Sequence, residues 1–228
     1  MSQAADLRSK VKFAMLGVAE EMRALREHPA LGVLLPHYLS TAHSITRATV
    51  QMLELACSQA KELAPGDPLA ASMIDYLAGH AVEERHHDDW LLEDLRSLGV
   101  PASAVFGQLP DHHVAALVGS QWYWIQYAHP VSIYGYMMVV EGFASGPAQV
   151  EEMLVRSGLP RRHFKALLRH ARLDEHHASE LDDAIDALVL DDRGRRVMGQ
   201  SAMATVKHEA AVWSALVART DASLARAR

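Results

Sequence analysis

HAVEERHHDDWLLEDL, residues 80–95, carries two overlapping Glu-x-x-His pairs, Glu83 with His86 and Glu84 with His87. Residues three and four apart share one face of a helix, so each pair can be judged by what extends its line in both directions. The line through the second pair runs Met73, Leu77, His80, Glu84, His87, Leu91, Leu95 and is apolar on either side of a polar centre. The competing line, Ser72, Tyr76, Gly79, Glu83, His86, Trp90, Glu93, ends in charge. Glu84 and His87 are therefore expected to point inward from an amphipathic helix.

The same test divides HARLDEHHASE, residues 170–180. The line Ala166 or Leu167, His170, Asp174, His177, Leu181, Ile185, Leu188 is apolar outside its three polar members. The line Lys165, Arg169, Arg172, His176, Ser179, Asp183 is wholly polar, which assigns Glu175, His176, Glu180 and Asp182 to the solvated side. A further carboxylate, Glu141, interrupts YGYMMVVEGFASG (134–146), whose other residues are apolar, aromatic, small or glycine. A buried carboxylate takes up a proton or finds a cation. Arg47 is the expected side-chain partner.

Helical periodicity extends over almost the whole chain, with no sustained alternation of the strand type. Proline and glycine breaks delimit segments at roughly 3–27, 31–63, 68–98, 111–127, 130–145, 147–157, 160–189 and 195–224. The expectation is an all-α, single-domain bundle of about seven to eight helices spanning residues 1–228. Half of the 228 residues are hydrophobic, enough for a closed core. A net charge of -6 and a pI near 6.1, with basic residues scattered singly, argue against a nucleic-acid surface. Cys57 is the lone cysteine, so no intrachain disulfide can form and a cytoplasmic address is expected. KVKFAMLGVAEEM (10–22) runs into Glu20 and Glu21, as an amphipathic helix does and a leader peptide does not. No apolar run approaches the roughly 18 residues of a membrane span, so no membrane partner is expected.

Three inward carboxylates (Glu84, Glu141, Asp174) and three inward histidines (His87, His170, His177) make a poor core unless positive charge sits between them. A mixed oxygen and imidazole donor set without thiolates suits Fe(II) or Mn(II) rather than structural zinc or iron–sulfur clusters. Six ligands exceed what one open ion requires. Two divalent ions would offset the three carboxylates and leave positions free, as in the dinuclear sites of helix bundles.

This order of groups, Glu-x2-His, a lone mid-chain Glu, then His-x3-Asp-x2-His, resembles the heme-oxygenase-like di-iron oxidases. That family shares its fold with heme oxygenase, thiaminase II and pyrroloquinoline-quinone synthase. The resemblance runs from about His28 to Leu188 and includes the contexts HHDDWLLEDLRSLG and GYMMVVEG. It implies that Glu84, His87, Glu141, His170, Asp174 and His177 bind two Fe(II) ions, with Mn as an alternative. It also implies O2 as co-substrate and the oxidation of a small amine, amino-acid-like molecule or aliphatic acid. A homodimer is the expected assembly. One position departs from the pattern. Several family members place a carboxylate seven residues before the first histidine, where this chain has His80, which leaves His80 as an extra ligand, a supporting partner of a ligand or a core histidine. The alternatives kept open are heme oxygenase or another heme-binding protein of the same fold, a metal-free thiaminase II-like hydrolase using Cys57, and a non-enzymatic ligand-binding bundle.

Weaker signals flank the site. His37 and His43 in PHYLSTAHSITR, with Arg47, are candidate pocket residues, although a helix histidine is more often satisfied locally or exposed. Tyr134, Tyr136 and Met137 are candidate cavity walls, balanced against an ordinary core role. Trp122, Tyr123, Trp124 and Tyr127 suit helix packing, a dimer contact or a wall equally. Asp111, His112 and His113 read as a cap and an exposed first turn, and His208 and Glu209 as a helix end with no part in catalysis.

Overall fold

The computed structural model describes residues 2–227, apart from the side chain of Glu175; the expected solvated placement of Glu175 therefore lies outside the described residues. Within them the chain is all-α: α1 (Gln3–Arg26), α2 (Leu31–Leu63), α3 (Pro68–Glu83), α4 (His87–Ser97), α5 (Ala102–Phe106), α6 (His112–Tyr127), α7 (Ser132–Val140), α8 (Pro147–Ser157), α9 (Lys165–Ala187) and α10 (Asp192–Arg226), with a single 3-10 turn at Arg161–His163. No described helix is long and apolar enough to cross a membrane.

Local chemistry sets many of the ends. Asp67 accepts from the backbone N–H of Leu69 and Ala70 at 2.9 and 3.1 Å with Pro68 at the first helical position, so α3 starts where the capping rules place it. Asp111 caps α6 through His113 N–H at 2.7 Å, and His112 is exposed, as expected. Gly158, at φ 65°, closes α8.

Three expected segments differ. The segment 68–98 is two helices, because the chain breaks over Glu84–His86 and His86 adopts φ 71°, the single non-glycine positive φ among the described residues. Histidine tolerates this region better than most residues, yet nothing local demands it. The requirement is tertiary: α3 packs on α2 and α9, whereas α4 must also reach the 3-10 turn and α5. The segment 130–145 stops at Val140, leaving Glu141 as the residue after the last turn. The break at 98–111 holds the short helix α5.

Two contacts fix the helices that carry the site. A Cβ on Gly135 would lie 2.1 Å from the carbonyl oxygen of Met198, so α7 can cross the backbone of α10 this closely only with glycine there. α7 is buried from Ser132 to Val139. The carboxylate of Asp94, on α4, accepts from Ala166 N–H at 2.8 Å and so caps the start of α9 from a neighbouring helix. A buried amide network adds a third tie, in which Gln121 of α6 accepts from Ser201 at 2.7 Å and donates to Thr205 at 3.0 Å on α10.

Candidate metal centre

Both inward lines survive in three dimensions. Met73, Leu77, His80, Glu84, His87, Leu91 and Leu95 are all buried although a helix break runs through them, while Glu83 and His86 are exposed. On α9, Ala166, Leu167, His177, Leu181, Ile185 and Leu188 are buried, His170 and Asp174 are partly so, and His176 is exposed.

The six expected residues converge on one region in unequal groupings. Glu84, His87 and His170 each offer a ligand atom within 4.8 Å of the others. His177 forms a second such group with His80 and Glu83. Glu84 links the two, its carboxylate oxygens lying 3.2 Å from His87 Nδ1 and 3.6 Å from His177 Nδ1. Glu141, at the end of α7, meets His80 Nε2 at 3.2 Å. Asp174 lines the same cavity as Glu84, Glu141 and His170. Glu83 was assigned outward, and its side chain is indeed 56 % exposed, but its position at the end of α3 leaves its carboxylate 3.8 Å from His80 Nδ1.

Aromatic rings hold these groups in place. Tyr76 stacks on His80 with centroids 5.3 Å apart, and Trp90 lies 3.9 Å from His87 and 5.3 Å from His170. Arg169 covers Trp90 at 3.5 Å, so its charge sits on a ring face.

The electrostatics describe a site short of positive charge. Burial raises the Asp174 carboxyl to about 8, and the negative charges of Glu141 and Glu84 add to it. Burial likewise lowers His170 to about 4, assisted by His87, leaving a neutral imidazole with a free lone pair. Burial alone would lower His80, but the hydrogen bond and charge of Glu141, with Glu84 and Glu83, raise it to about 9. His80 is thus the cation facing Glu141. Burial would also raise Glu84, but its contact with His87 and the charges of His87 and His80 hold it low.

The donor set fits a divalent iron. Among buried atoms, His177 Nδ1 and Glu141 Oε2 make no hydrogen bond, and His87 Nδ1, although 3.2 Å from the Glu84 carboxylate, is not aligned for one; an orphaned buried atom costs on the order of 1–3 kcal/mol unless something else engages it. Two imidazole nitrogens and a carboxylate oxygen, without a thiolate, are the donors that Fe(II) and Mn(II) accept.

The other expected residues scatter. Tyr136 lines the cavity, its hydroxyl 2.7 Å from that of Thr49. Tyr134 and Met137 are buried in the core outside it. His43 is buried, edge-on to Phe106 and 3.8 Å from Asp88, also outside. His37 is exposed in a separate surface cleft. Arg47 does not pair with Glu141; its guanidinium is exposed, 5.0 Å above the Phe106 ring, and His80 takes the expected role. Cys57 is buried with its thiol 3.9 Å from the carbonyl of Ile74 and does not line the cavity. Glu209, expected at a helix end, instead lies in the middle of α10 and lines the cavity. The line test would have found it, because Ala202, Thr205, Val206, Val212, Trp213 and Leu216 around it are all buried.

A family model described as "Iron-containing redox enzyme" matches residues 36–210. The chain belongs to this iron-containing redox enzyme family. Its fold is heme-oxygenase-like. A domain of unknown function with a heme oxygenase-like fold from Shewanella denitrificans OS217 superposes with a TM-score of 0.77 at 15 % identity, covering 95 % of this chain and 91 % of that one. A TenA homolog from Pseudomonas syringae pv. tomato str. DC3000 superposes with a TM-score of 0.72 at 14 % identity, covering 94 % and 92 %. No curated protein matches the chain.

Proposed function

We propose that the protein is an O2-dependent non-heme di-iron oxidase or oxygenase acting on a small organic substrate. Glu84, His87, Glu141, His170, Asp174 and His177 would hold the two ions. The observation that carries the reading is the set of buried donor atoms without a hydrogen bond on Glu141, His87 and His177, together with a cavity of about 210 Å³ that Glu84, Glu141, His170 and Asp174 line. Bound Fe(II) would supply the electrons that reduce O2 while the substrate is oxidised.

The protein's own groups have definable parts. Neutral His170 presents its lone pair without first losing a proton, as a metal ligand must. Asp174 holds a proton near neutral pH and would release it when a cation arrives. His80 supports Glu141 through its ring N–H, a role in orienting a ligand rather than replacing one. The apolar wall, including Met15, Val18, Leu91 and Val139, excludes water from the reacting end. The cavity is smaller than the roughly 300–1,000 Å³ of a drug-sized pocket, which favours a small substrate over a porphyrin. Cys57 lies away from it, which speaks against a cysteine hydrolase. The same proposal includes a homodimer, for which exposed Trp122, Tyr123 and Tyr127 on α6 offer an apolar face.

The test is anaerobic loading with Fe(II), elemental analysis and then mixing with O2. Near two iron atoms per chain and O2 consumption are expected. Alanine at His170 or Asp174 should cut retained iron at least tenfold while the helical circular dichroism is kept. Substoichiometric iron after loading, or unchanged iron in both variants, would overturn the reading.

A further inference from the structure

The cavity has an acidic group that the candidate metal centre does not use. Glu209 projects from α10, a helix that carries none of the six candidate ligands, into the cavity shared by Glu84, Glu141, His170 and Asp174. Its Oε1 accepts the indole N–H of Trp213 at 3.2 Å, and its Oε2 is buried with no partner. Two of the hydroxyls in the wall, those of Thr49 and Tyr136, bond each other. Among the described residues no Lys or Arg lines the cavity. Burial pushes the Glu209 carboxyl up to about 7, with the Trp213 N–H acting against it, so an incoming donor with positive charge would give it the counter-ion it lacks.

We propose that Glu209 is a specificity-determining residue that receives an ammonium group of the substrate, so that this cavity takes a small primary amine rather than a simple aliphatic acid. An ammonium offers three donors and forms charge-assisted hydrogen bonds to a carboxylate. A carboxylic acid would bring negative charge to a wall that already has it. A ligand with neither charge nor donor would leave Oε2 unpaired, which is how a polar group inside an apolar cavity discriminates. The assignment deepens the function proposed above, but amine binding itself requires no iron and no O2.

The probes are n-butylammonium, butan-1-ol and butanoate, titrated into the full chain under nitrogen, without metal and again with Zn(II) as a diamagnetic stand-in for iron. The readout is the indole ¹H–¹⁵N signal of Trp213, identified by its loss in Trp213→Phe. Butylammonium should shift that signal and bind at least tenfold more tightly than the alcohol or the acid. Glu209→Gln should abolish that preference, and Glu209→Asp, which keeps the charge but retracts it, should weaken it while leaving butanol binding unchanged. Equal binding of the three probes to the wild-type chain would overturn the proposal even if the Gln variant fails to fold. So would an amine preference that persists in Glu209→Gln. A chain that binds butylammonium but retains no iron would keep this inference and remove the di-iron reading; iron uptake without amine preference would do the reverse.

Discussion

A carboxyl group sealed from water holds its proton longer than a free one, and Glu209 has a consequence for stability that needs no substrate. Its folded pKa of about 7 stands above the ordinary 4.5. The folded state therefore binds this proton more tightly than the unfolded chain. The contribution is complete below about pH 4.5 and is lost as pH rises through about 7. Glu209→Gln, which cannot ionise, should match the wild-type chain at pH 4.5 and exceed it at pH 8 by roughly 2–3 kcal/mol in urea unfolding of metal-free protein. A constant difference across that range would remove the buried carboxyl as its source. At this scale the sequence was legible wherever a polar residue interrupted an apolar line, as at Glu84, His87, His170, Asp174 and His177. It was misread at Arg47, whose exposed guanidinium lies over the Phe106 ring instead of pairing with the buried carboxylate. His80 was narrowed to three roles, and its contact with Glu141 favours the supporting one.

Elements, rather than single residues, decide where the α9 donors stand. His170 lies in the second turn of a helix whose start is anchored by Asp94, a side chain 1 % exposed and contributed by α4. Asp94→Ala should cost about 2 kcal/mol, the upper part of the range for a lost helix cap, because the orphaned Ala166 N–H is buried as well. A lowered urea midpoint with an unchanged slope is the expected signature, and Asp94→Asn, which keeps an acceptor, should recover most of it. The helix boundaries were legible where a side chain caps them locally, as at Asp67 and Asp111. They were not legible at Glu84–His86, where the local sequence carries no stop signal; after Val140 the signal was present but passed over, since Gly142 follows the cap residue Glu141 and its N–H closes on the Met137 carbonyl at 3.2 Å.

Across the whole molecule, the candidate ligands come from α3, α4, α7 and α9 or their ends, helices that meet only once the chain has folded. An ion held by all four binds the folded state and not the unfolded one, so it must raise stability by mass action. With free Fe(II) or Mn(II) at 100 times its dissociation constant, the gain should be about 2.7 kcal/mol, read as a concentration-dependent rise in melting temperature. That rise should vanish in Asp174→Ala. An ion that left the transition unmoved would not be bridging these helices. The all-α class and the inward faces of two distant segments could be read from periodicity alone; that these faces meet rested on the charge they would otherwise bury unpaired. The cavity could not, because its walls come from residues far apart in sequence whose lines each look like ordinary core.

The left-handed turn at His86 also bears on whether this binding motif can be moved. Glu84 closes one helix and His87 opens another, so the relation between them belongs to the bundle and not to the two letters that separate them. Nothing in Glu-Arg-His-His by itself asks for that turn; α4, held against its neighbours, imposes it. A designer who grafted residues 80–95 onto another helical scaffold would carry over the ligands as an uninterrupted helix and leave their arrangement behind.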